Sequence, residues 1–183
     1  MPPPGDEVGA SEERTCYICL DASPDATGAP PVRSPCRCPR YVHGWCLGRW
    51  QLQSAGGPEE RECRFCGEGL PDWRDALGPP AREHAPVMTV TVGGATRHIR
   101  VGSGPGAQER FEAGVRAAFG IPPGVAVNMT FDCRVPGDGS RLKLRGNSAF
   151  HAAVHCARTC PVSRLDAAVI AGELVDATAA GCG

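Results

Sequence analysis

The chain has 183 residues, 42% of them hydrophobic, a formal net charge of −1 and 11 cysteines. That is room for one medium domain or two small ones. The near-neutral balance excludes a strongly basic nucleic-acid-binding chain, and Arg, Asp, Glu or Pro breaks every apolar stretch before it could cross a membrane, Leu165 to Val175 included. Met1 to Ala10 is rich in proline and glycine and has neither the apolar core nor the cleavage-type region of a secretory leader. Reduced thiols, and a soluble cytoplasmic or nuclear protein, are therefore expected rather than a disulfide scaffold.

Residues 1–14, with Pro2, Pro3, Pro4 and Gly5 among scattered acids, hold too little apolar surface to order themselves and read as a disordered arm. In the next module, residues 15–67, seven cysteines and one histidine fall into four pairs: Cys16 with Cys19, Cys36 with Cys38, His43 with Cys46, and Cys63 with Cys66. Two tetrahedral sites need eight soft or borderline donors, and a short turn inside each pair lets both members reach one metal. Two structural zinc ions are expected. A span of about fifty residues with so little apolar content cannot hold itself together, so the metal should supply much of its folding free energy. Spacing alone leaves open which pairs share a metal; neighbouring pairs are the simplest grouping. With seven thiolates and two dications the formal charge falls from −1 to about −4. Arg33, Arg37, Arg40, Arg49, Arg61 and Arg64 lie among the ligands and offset that excess locally, a better reading of them than a nucleic-acid groove.

Residues 68–86, rich in Pro, Gly and charge, read as a linker. From Val87 the pattern becomes strand alternation: Val87 to Val92, a Gly93-Gly94 turn, then Thr96 to Val101. Ala107 to Phe119 places Phe111, Val115, Ala118 and Phe119 at helical spacing, and Gly120 suits a left-handed helix end. A strand with Val125, Val127, Met129 and Phe131 follows, then the turn Pro136 to Gly139 and a strand Arg141 to Arg145. A short helix with Asn147 or Ser148 as N-cap, and Phe150, Val154 and Ala157 inward, closes a domain over residues 87–160. Residues 161–183 read as a frayed tail. His151, His155, Cys156 and Cys160 lie near the end and His151 and His155 are one turn apart, but Cys156 points about a quarter turn away and no distant partner pair is evident, so this helix is read as packing rather than as a third metal site. Trp45 and Trp73 are likewise read as packing residues.

The run Pro35-Cys36-Arg37-Cys38, then Arg40-Tyr41-Val42-His43-Gly44-Trp45-Cys46-Leu47 with Trp50 after it, resembles the RING-CH (RING-variant) family of ubiquitin ligases. The resemblance implies a cross-brace in which Cys16, Cys19, His43 and Cys46 hold one zinc while Cys36, Cys38, Cys63 and Cys66 hold the other. It also implies a non-covalent ligase, with no catalytic residue of its own, that binds a ubiquitin-charged conjugating enzyme through Ile18 and Trp50. The protein substrate is left unknown. Many RING ligases carry a basic residue just past the last ligand; here Gly67 and Glu68 follow Cys66. The same ligand order occurs in plant-homeodomain fingers, which makes a non-enzymatic finger binding histone or other peptides the alternative. Those fingers usually place an aromatic residue where this chain has Arg61.

The second module, hairpin, helix, hairpin and short helix, resembles the ubiquitin-like β-grasp fold and, more loosely, Phox/Bem interaction domains. Arg97 and Arg100 share a strand, but only Asp138 stands where those domains cluster acids, so a recruiting or scaffold-binding role is expected rather than front-to-back polymerisation. The fold class is therefore α+β, a small cross-braced zinc domain plus a β-grasp domain. Joined by a linker, the two should respond separately to loss of zinc.

Overall fold

The computed structural model describes residues 14–78, 86–159 and 165–171. The expected arm, apart from Arg14, lies outside them. Two short strands, β1 (Val32–Arg33) and β2 (Tyr41–Val42), pair antiparallel and carry the Cys36–Cys38 loop between them. Helix α1 (Gly44–Gln53) follows, burying Cys46, Leu47, Gln51 and Leu52. The segment expected as a linker contains helix α2 (Trp73–Leu77), whose first turn is capped by the Asp72 carboxylate accepting from the Arg74 N–H.

The second module begins with β3 (Val87–Val92) and β4 (Ala95–Arg100). Between them Gly93 and Gly94 have φ of +55° and +83°, the paired left-handed conformations of a two-residue type I′ turn. Helix α3 (Ala107–Phe119) ends at Gly120 with φ +64°, as its sequence suggests. It buries Phe111 and Val115 and half-buries Phe119, but leaves Ala118 exposed. Strand β5 (Val127–Arg134) buries Val127, Met129, Phe131 and Cys133 in strict alternation and pairs with β6 (Arg141–Arg145). Val125 precedes the strand. Asn147 does not cap a helix. Its side chain accepts from the Met129 N–H and donates to the Val127 carbonyl, tying the turn to β5.

Helix α4 (Phe150–Thr159) buries six consecutive residues, Ala152 to Ala157, rather than a single stripe. One side carries Phe150 into a cluster with Phe111 and Phe131, at ring-centroid separations of 5.3 and 6.4 Å. The other side meets the zinc module: the His155 ring stands edge-on to Trp73 at 4.9 Å, and its Nε2 lies 3.3 Å from the Gly78 carbonyl oxygen. Burial, and then the nearby Arg74 guanidinium, lower the His155 pKa below the ordinary imidazole value. His155 is thus packed as a neutral ring. His151 is exposed, Cys160 lies outside the described residues, and no third metal cluster forms among those that are described.

The tail expected over 161–183 contains strand β7 (Leu165–Ala171), which is parallel to β3 and antiparallel to β5. The sheet order is β4-β3-β7-β5-β6. Two hairpins flank a last strand placed in the middle, with a helix crossing between the hairpins in sequence; that topology is a β-grasp.

The two modules share a core. Leu52, Trp73 and Leu77 belong to the same buried cluster as Met88, Phe111 and Phe150. Trp73 is only 1% exposed and donates from Nε1 to the Glu60 carboxylate at 3.0 Å. The segment expected as a linker thus carries two residues, Trp73 and Leu77, that leave water together with apolar residues of the second module.

Candidate metal centre

The first and last cysteine pairs sit in two copies of one local structure. In each, the residue after the second cysteine donates its N–H to the carbonyl of the first at 2.8 Å, Leu20 to Cys16 and Gly67 to Cys63. The first cysteine's own N–H donates to the carbonyl five residues on, Asp21 at 2.9 Å and Glu68 at 2.8 Å. Both closing residues have left-handed backbones, with φ of +61° at Leu20 and +70° at Gly67. Glycine fills that position without steric cost at residue 67, whereas Leu20 adopts it as a non-glycine residue.

His43 precedes α1 and Cys46 lies in its first turn, so one helix start supplies both members of the third pair. The His43 Nδ1 atom is 3.4 Å from the Cys19 sulfur and 3.6 Å from the Cys46 sulfur. Its Nε2–H donates to the Ser23 carbonyl at 2.8 Å, which fixes the ring and leaves Nδ1 as the donor to a metal. Cys38 and Cys63 sulfurs lie 3.9 Å apart in the other group. A tetrahedron with Zn–S near 2.3 Å and Zn–N near 2.05 Å has edges of about 3.8 Å between sulfurs and about 3.5 Å from sulfur to nitrogen. The spacings fit zinc.

The structure brings Cys16, Cys19, His43 and Cys46 into one group and Cys36, Cys38, Cys63 and Cys66 into the other, with all donor atoms of each group within 4.8 Å of one another. First and third pairs share a site, as do second and fourth, so neighbouring pairs do not. These are two zinc sites in a cross-brace.

The thiols show why a dication belongs there. Burial raises the Cys16 pKa, but N–H groups of Cys19, His43 and Ile18 more than reverse this and hold it at about 7. Cys36 is likewise raised by burial, then brought down to about 6 by the Ser34 hydroxyl at 3.2 Å and by neighbouring donors. Burial and the adjacent sulfurs push Cys46 and Cys38 up to about 12. Protein groups alone stabilise part of each thiolate set; a bound cation would stabilise it all. Four protein ligands leave zinc no open position for water or substrate, so its role here is structural.

The model of the RING-variant domain family matches residues 16–66. This segment is a RING-variant domain. No curated protein matches the chain. Among solved structures, it is similar to an AtNBR1-PB1 domain at 23% identity, over 48% of this chain and 98% of that one, with a TM-score of 0.33. It is also similar to a chain of the AtNBR1-PB1 filament (L-type) seen by cryo-EM, at 20% identity, 49% and 99% coverage and a TM-score of 0.34. The strand order, not this likeness, makes the second module a β-grasp.

Around the RING-variant frame, Ile18 and Trp50 are both half-buried against a small cluster of Cys16, Val42, Cys46 and Leu47. Their remaining surface lines a groove of about 220 Å³ together with Trp45, Arg49 and Gln53. Most of the arginines among the ligands have local partners: Arg37 pairs with Glu68, Arg49 with Asp138 and Arg64 with Glu59, while Arg40 lies over the Phe65 ring at 4.1 Å. Sequence reasoning missed two residues here. Phe65, between the last two ligands, is 55% exposed, and its place inside a ligand pair next to Arg64 was the available signal. Gln51 is buried and donates to the carbonyls of Glu60 and Pro71, binding α1 to the segments that follow it; nothing in the sequence marks it. Among the described residues no helix is long and apolar enough to cross a membrane.

Proposed function

We propose that this protein is a ubiquitin ligase whose RING-variant domain docks a ubiquitin-charged conjugating enzyme in the groove lined by Ile18 and Trp50. The observation that carries the reading is the meeting of these two apolar residues on a surface held by two zinc sites. Exposed apolar surface on a rigid frame is what a protein partner needs for anchoring. The chemistry belongs to the partner. A substrate lysine amine attacks the thioester carbonyl, the new isopeptide bond forms, and the conjugating enzyme's cysteine leaves as thiolate. The ligase contributes by restricting the thioester to attack-ready geometries, and no residue of this chain carries ubiquitin. The β-grasp module is the surface on which substrate would be recruited.

The test is an in vitro ubiquitination reaction with purified full-length protein, activating enzyme, ubiquitin and a panel of conjugating enzymes. Ile18→Ala should keep two zinc ions per chain and lose ubiquitin transfer by roughly 30-fold, as for a binding hot spot of about 2 kcal/mol. Full activity in that variant would overturn the assignment of Ile18 to the docking groove, and wild-type silence with both zinc ions bound would remove the ligase reading.

A further inference from the structure

The conjugating-enzyme groove is not bounded by the zinc domain alone. Its wall is made by Trp45 and Arg49 on α1, and the β5–β6 turn of the β-grasp module reaches both. Asp138 Oδ2 accepts from the Arg49 guanidinium at 3.0 Å, while its Oδ1 accepts from the Ser140 N–H and hydroxyl, so one carboxylate ties the turn's own backbone to the groove. The same guanidinium stands 5.3 Å from the Trp45 ring centroid. Gly137 lies against that ring: a Cβ there would be 3.2 Å from the indole nitrogen, whose N–H is buried without a hydrogen-bond partner among the described residues. Trp45 itself packs against both buried clusters, the one around the first zinc site and the one shared with the β-grasp. Gln53, another lining residue of the groove, also lines a trough with Lys143 and Arg145 of β6. Groove and second module therefore form one continuous face.

We propose that the β5–β6 turn is part of the conjugating-enzyme docking platform, with Asp138 as a positioning residue that holds Arg49 against Trp45 and so sets the shape of the groove wall. The inference rests on the ligase reading above. Its occupant is the conjugating enzyme, which sits on zinc-module residues, and the β-grasp module sets partner affinity by holding the groove wall from behind. Asp138 does not line the groove, so a change there acts through Arg49.

Calorimetric titration of the full chain with each of a panel of purified ubiquitin-conjugating enzymes tests this, with zinc content and thermal midpoint measured alongside. Asp138→Arg sets two guanidinium groups against each other at the wall and should weaken binding about tenfold. The swapped pair, Asp138→Arg with Arg49→Asp, should recover most of that loss, and the loss in Asp138→Arg should come with a thermal midpoint near that of the wild type, which a merely structural tie between modules would not produce. If Asp138→Arg lowers only the thermal midpoint while Ile18→Ala abolishes binding, the platform inference falls and the groove stands. If Ile18→Ala binds like the wild type, the groove and the platform fall while the ligase reading stands; if no conjugating enzyme binds at all, both readings fall together.

Discussion

Stripping zinc from the intact chain should unfold both modules, not the first alone. Structural zinc in finger peptides contributes roughly 10–16 kcal/mol near pH 7, as much as the whole stability of an ordinary domain. Residues 16–66 have little else to hold them, since the apolar cluster around the first site has only Cys16, Val42, Cys46 and Leu47 fully buried. Once α1 melts and the segment after Cys66 is released, Leu52, Trp73 and Leu77 leave the cluster they share with Phe111 and Phe150. Each large apolar side chain is worth roughly 1.5–3 kcal/mol of burial, and three of them are comparable to the margin on which a small domain survives. Cys36→Ser, or a strong chelator, should therefore collapse amide-exchange protection at Phe131 and Phe150 along with that of α1. Protection at Phe131 left at its wild-type level would show that the modules fold independently and that the shared cluster contributes little.

The second large effect is expected at the junction itself. Trp73→Ala removes a nearly inaccessible ring that touches α4 through His155 and the zinc module through Glu60. Truncations of this kind cost about 3–5 kcal/mol, which for a chain of this size lowers the thermal midpoint by roughly 10 °C. Trp73→Phe separates the contributions: it keeps most of the buried ring and gives up the Nε1–H donor to Glu60, a loss of about 1 kcal/mol. Scanning calorimetry on both variants, with zinc content confirmed, reads the result directly. An alanine variant that melts with the wild type would mean that the gap is refilled and that Trp73 is not the keystone of the junction.

The zinc ligands were legible because tetrahedral coordination demands particular donors in close pairs, and nothing else explains four such pairs between Cys16 and Cys66. Their grouping was not legible from spacing; it came from resemblance, and the geometry of His43 and Cys19 agrees with it. The hairpin Val87 to Arg100 and the helix Ala107 to Phe119 were legible because period and turn chemistry coincide there. Strand β7 was missed for a physical reason. Its sequence, Leu-Asp-Ala-Ala-Val-Ile-Ala, is a short apolar run without alternation, which periodicity cannot distinguish from helix. Only pairing with β3 and β5 makes it a strand. Helix α2 was hidden by its length of five residues and by the Pro, Gly and charge around it. The tie between Arg49 and Asp138 joins residues 89 apart, which local pattern does not reach.

The position of β7 sets the order in which this protein can be completed during synthesis. Its first residue pairs with Met88, seventy-seven positions earlier, and the strand separates the two hairpins instead of extending one of them. On the ribosome both hairpins and α3 emerge before the strand that joins them, so β3 and β5 each wait with an open edge. Pairings of such long range are slow to close and leave the growing chain open to aggregation. A premature stop just before Leu165 would remove about a tenth of the residues and yet take away the centre of the sheet, so nonsense changes late in the coding sequence should be as damaging as early ones.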